Sequence, residues 1–105
     1  MSMKDRETSF ENKYAHDQEM MFKIEARTAK LLGLWAAEQM SLQGEEADTY
    51  AKSLVEANLD EPGFDDIKRK VLQDFAAKGV DISEHILDVT ITRKSEEAEQ
   101  QILQS

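Results

Sequence analysis

The chain has 105 residues, a formal net charge of −9, one proline, four glycines and no cysteine. That length fits one domain with a modest core. The lack of cysteine excludes disulfides, iron–sulfur clusters and Cys-ligated zinc, and fits a reducing compartment.

Residues 3–42 read as helix almost throughout. Phe10, Tyr14, Met21, Ile24, Leu31 and Trp35 recur on a 4–3 alternation that puts them on one stripe, with Asp17 and Thr28 interrupting it. Phe22, Ala26, Ala29, Leu32, Ala36 and Met40 widen the stripe. Residues 20–40 are therefore expected to be buried on more than one side, whereas residues 3–17 are thinly apolar. An unbroken helix over residues 4–40 would be roughly 55 Å long, while a compact domain of this size has a radius of gyration of about 13 Å. Either the first half projects, or the chain breaks and folds back. Asp17, able to cap a new helix, is the natural break point.

Ser41–Gly44 is a connection. Glu45 to Asn58 follows as helix, with Ala47, Tyr50, Ala51, Leu54 and Val55 on one face and Glu45, Glu46 and Asp48 in the first turn. Asp60-Glu61-Pro62-Gly63 makes a turn. Phe64 to Lys78 is a third helix, with Phe64, Ile67, Val71, Leu72 and Phe75 on its stripe and Gly79 at the left-handed position after it. A fourth helix begins near Asp81 or Ser83, either of which can cap it. Its inward residues are expected to be Ile82, Ile86 and Val89, with Leu87 and Ile91 as further candidates. The β-branched run Asp88–Thr92 resembles a strand, but a lone strand would have no partner, so helix is preferred. Beyond Lys94 the apolar content falls and the tail is expected to fray. The sum is an all-α chain, a small four-helix bundle with a long or broken N-terminal helix.

The chemistry that the residues allow is limited. The first residues carry charges of both signs and no apolar run, so no secretory signal is expected; no apolar run is long enough to cross a membrane, and there is no phosphate-binding loop, dinucleotide glycine pattern or nucleophile elbow. The acidic balance argues against nucleic acid as a partner. Charge is uneven: residues 1–40 carry a net −1 and residues 41–105 a net −8. A near-neutral arm on an acidic body hints at divided labour. His85 lies a turn from Asp81 and near Asp88, a spacing a metal could bridge, but a solvated helix start explains it better and no metal is expected. His16, beside Asp17, is either an exposed polar residue or a pH-responsive joint. Paired carboxylates such as Glu45–Glu46 and Asp65–Asp66 read as solvated or dipole-favoured charge. In the Leu31–Ala37 stretch, Trp35 reads as core and Gly33 as a place for close helix approach. Phe10 and Tyr14, one turn apart, suit an arm that docks in a partner's groove.

Several strings resemble the zeta subunit of alphaproteobacterial F-type ATP synthases, an ATPase-inhibitor family. They are Phe10-Glu11-Asn12-Lys13-Tyr14-Ala15-His16-Asp17, Lys30-Leu31-Leu32-Gly33-Leu34-Trp35-Ala36-Ala37-Glu38, Gly44-Glu45-Glu46-Ala47 with Tyr50-Ala51-Lys52, and Ala77-Lys78-Gly79-Val80-Asp81-Ile82-Ser83-Glu84-His85. The resemblance implies a four-helix bundle, not an enzyme and without a cofactor, that binds the catalytic head of the ATP synthase (alpha, beta and gamma subunits). Its N-terminal arm, residues 1–19 here, would insert between catalytic subunits near the rotor and block rotation in the hydrolysis direction. Residues 20–105 would form the body. Phe10 and Tyr14 are expected to be apolar anchors, with Lys4, Arg6 and Lys13 meeting acidic partner surfaces and His16 and Asp17 completing the contact. The implied protein is a monomer when free, cytoplasmic, and peripheral to the inner membrane through the ATP synthase. Two other readings rank below it: a ligand-responsive module, conceivably for an adenine nucleotide, with a pocket near Trp35, and a generic helical adaptor.

Overall fold

The computed structural model describes the backbone of residues 3–60 and 63–104, and the side chains of residues 19–59 and 63–104. Four helices form: α1 (Met3–Gln39), α2 (Glu45–Asp60), α3 (Asp65–Lys78) and α4 (Glu84–Gln104). Among the described residues there is no strand, and the β-branched run Asp88–Thr92 lies inside α4. The architecture is the all-α bundle that the periodicity implies.

α1 does not break at Asp17. It is one helix of 37 residues. An aspartate caps only where the backbone before it leaves the helical region, and Ala15, Gln18, Glu19, Met20 and Met21 around it are good helix formers. The helix accounts for the elongated shape, 60 × 26 × 23 Å, with a radius of gyration of 16.7 Å. At 1.5 Å per residue α2 and α4 are about 24 Å and 32 Å long, too short to flank α1 over its roughly 55 Å.

The core lies along the second half of α1. Ala29, Leu32, Ala36 and Met40 join Leu54 of α2, Ile67, Val71 and Phe75 of α3, and Leu87 and Ile91 of α4. The buried face of α1 thus takes in Ala29, Leu32, Ala36 and Met40 of the widening set, while Ile24, Leu31 and Trp35 of the 4–3 stripe sit half-buried at its flank. The reason is the close approach to α2. A Cβ on Gly33 would come 2.5 Å from the Ala51 Cα, so the two backbones meet where both side chains are minimal. Small residues mark this contact, and a count of large apolar side chains overlooks them. Burial on more than one side holds from Thr28 onward but fails at Met21 and Phe22, which are exposed.

Trp35 meets Phe75 edge-on at 5.8 Å between ring centroids, locking α1 to α3. α3 ends as expected, with Gly79 at φ 73° and the N–H of Val80 bonded back to the Phe75 carbonyl at 2.8 Å. Ser83, rather than Asp81, caps α4: its Oγ accepts the Ile86 N–H at 3.2 Å.

Two expectations for α4 need correction. Its inward face is Leu87, Thr90, Ile91 and Ala98, while Ile86 and Val89 are exposed. The Ile82–Ile86–Val89 stripe runs on into Arg93 and Glu96, which resist burial. The Leu87–Ile91 stripe runs through Lys94 to the small Ala98, which lets α4 close on its neighbours. Nor does the tail fray. α4 continues to Gln104, Ala98 is fully buried, and Arg27 Nη1 donates to Gln101 Oε1 at 2.9 Å across to α1.

Candidate partner-binding surface

The residues expected to meet a partner, Lys4, Arg6, Phe10, Lys13, Tyr14, His16 and Asp17, all fall on the first half of α1. Their backbone is helical and their side chains lie outside the described residues. What the fold supplies is their support: a single helix whose other half is clamped in the core.

Where that support begins, the body is open. Met20, Met21, Ile24 and Glu25 of α1 face Phe64 and the α4 residues Ser95, Glu99 and Leu103 across a groove of ≈ 500 Å³. Met21 is 63% exposed and Leu103 60%, values unlike those of apolar residues further along the core. Glu25 and Glu99 give the groove acidic edges. The sequence reading missed it because its walls come from three segments far apart in the chain. The only signal was Met21, an apolar residue on the α1 stripe that the core face bypasses.

The other end carries a polar lock. Tyr50 donates its hydroxyl proton to Asp74 Oδ2 at 2.7 Å, Lys70 Nζ reaches the same oxygen at 3.2 Å, and this ammonium sits 5.4 Å from the Tyr50 ring centroid. Burial first, and then the Asp74 carboxylate, push the Tyr50 phenol well above its ordinary range. A shallow cavity of ≈ 490 Å³ beside it is lined by Leu42, Glu45, Glu46, Thr49, Tyr50 and Ser53. Trp35 is packed on Phe75 rather than lining that space. Carboxylates and no cation line it, which is unfavourable for a phosphate.

His85 is exposed. Asp88, its candidate companion, instead takes Lys68 Nζ at 2.9 Å, and Glu84 takes the same ammonium at 2.7 Å. These hydrogen bonds, the Asp88 one first, push the Lys68 pKa upward. Among the described residues no group of three His, Cys, Asp or Glu side chains is placed to hold a metal ion. Among them, too, no helix is long and apolar enough to cross a membrane.

A family model described as ATPase inhibitor subunit zeta matches residues 1–101. The chain belongs to this family. The match takes in the first half of α1 as well as the bundle, and so spans both the partner-facing segment read from the sequence and the fold that carries it. Membership of the zeta family implies interaction with an ATP synthase and a regulatory role. No curated protein matches the sequence significantly.

Proposed function

We propose that this zeta-family chain inhibits ATP hydrolysis by an F-type ATP synthase through its N-terminal arm. Residues 1–19 insert at an interface between catalytic alpha and beta subunits, beside the gamma rotor, and block rotation in the hydrolysis direction. Residues 20–105 stay outside as the body. Phe10 and Tyr14 anchor the arm in an apolar groove, Lys4, Arg6 and Lys13 meet acidic groups, and His16 and Asp17 close the contact at the arm's base. The chain acts as a monomer, without a cofactor and without catalysis of its own, peripheral to the inner membrane on the cytoplasmic side.

The observation that carries this reading is the family match over residues 1–101 combined with the length of α1. A 37-residue helix with its second half held by three others is a rod on a handle. Such a rod fits a mechanism in which a stiff element must stop a turning shaft.

The test is to add the purified chain to inverted membrane vesicles of the source organism and to measure hydrolysis and synthesis separately. Hydrolysis is expected to fall with added chain while proton-driven synthesis continues. Equal loss of both would contradict a direction-selective block, and no loss of either would contradict inhibition.

A further inference from the structure

The groove at the root of the arm leaves apolar side chains uncovered. Met21 and Leu103, each more than half exposed, line it from α1 and α4, with half-buried Ile24 and Phe64 between the acidic edges Glu25 and Glu99. A contiguous apolar patch with a polar rim marks an interaction site more often than scattered exposed residues do.

Its position says what faces it. On a helix of 3.6 residues per turn, Met21 lies within about 20° of both Phe10 and Tyr14. The apolar stripe of the arm therefore runs into the groove without changing face. Because α1 is one helix, the step from Glu19 to Ile24 is only about 8 Å along the axis. Whatever receives residues 1–19 has its rim at the groove.

We propose that this groove is a second contact with the catalytic head, filled by an apolar projection on the protein surface that borders the arm's binding interface, with Lys or Arg side chains flanking it to face Glu25 and Glu99. It rests on the reading that the arm inserts in the head, and it adds a clamp outside the insertion site. The arm then stops the rotor, and the groove holds the arm in place.

The full-length variant Met21→Gln/Leu103→Gln tests it against the isolated catalytic head. Glutamine keeps a helix propensity close to that of Met and Leu, so the melting temperature is expected to stay unchanged. Affinity for the head is expected to fall about tenfold, mainly through faster dissociation. Ile86→Gln is the control. Ile86 is 51% exposed, yet lies about 25 Å from Leu103 along α4, and its variant is expected to bind like the parent chain. If the glutamine variant melts early, Glu25→Lys/Glu99→Lys reads the same surface through charge: association at low ionic strength is expected to slow several-fold, and unchanged association overturns the proposal. Parental affinity in the glutamine variant also overturns it, and if Phe10→Ala/Tyr14→Ala abolishes binding at the same time, the arm reading survives alone. No binding by the parent chain overturns both. A free chain that sediments as a dimer, and as a monomer once Met21 and Leu103 are changed, would give the groove to a second copy and overturn the proposal as well.

Discussion

The two ends of the bundle differ in how they treat the same kind of residue. Near the α1–α2 connection, the aromatic rings of Trp35 and Phe75 interlock, Gly33 brings two backbones together, and Tyr50 is tied to Asp74. At the arm's root, Met21, Phe22, Leu59 and Leu103 are left more than half exposed, a cluster that Ile86, similarly exposed near the start of α4, does not match. There too, Asn58 is buried, with no hydrogen-bond partner for either amide atom among the described residues. One end holds α1 through interlocked rings and touching backbones, and the other leaves a cluster of apolar side chains at the surface.

The largest effects should come from the closed end. Phe75→Ala removes the ring that Trp35 packs on and leaves a cavity in the core cluster, for a loss of about 3–5 kcal/mol in urea unfolding. A loss below about 1 kcal/mol would mean that this end is no tighter than the other. Gly33→Ala follows. Alanine favours helix, but its Cβ meets Ala51 backbone, which cannot swing aside, so a net loss of about 1–3 kcal/mol is expected. A gain in stability would show that α1 and α2 are free to spread.

At the open end the sign reverses. Asn58→Leu replaces a buried amide without a partner among the described residues by an apolar side chain of similar size, and a gain of about 1–2 kcal/mol is expected. A loss would reveal a water or a side chain serving the amide.

The smallest effect is a matter of pH. The folded Tyr50 phenol is held above its ordinary value of 10.0, and Lys68 above 10.5. Above those values the unfolded chain releases protons that the folded chain keeps. Stability from both groups is therefore complete below about pH 10 and declines as pH rises beyond it. In a Tyr14→Phe background, tyrosinate absorbance should appear only as the chain unfolds. Ordinary titration near pH 10 in the folded chain would contradict the Tyr50–Asp74 lock.

Much of this was legible in the residues. The α3 stripe Ile67–Val71–Phe75 and the Gly79 stop follow from spacing, because one face of that helix is apolar and its end has one conformational solution. α4 was harder, since its apolar residues point in several directions and only the small Ala98, two turns further on, decides which stripe faces in. Asn58 was unreadable for the opposite reason: nothing in a polar residue's own position announces that it will be buried. The arm's residues came from the family resemblance, the groove at its root from the fold alone.

Deleting residues 1–19 separates the proposed arm from the body. The shortened chain is expected to keep its melting temperature, because the described core begins at Thr28, and to lose inhibition of ATP hydrolysis by the purified catalytic head that the full chain inhibits. Inhibition that survives the deletion would place the inhibitory surface on the bundle and overturn the division between arm and body.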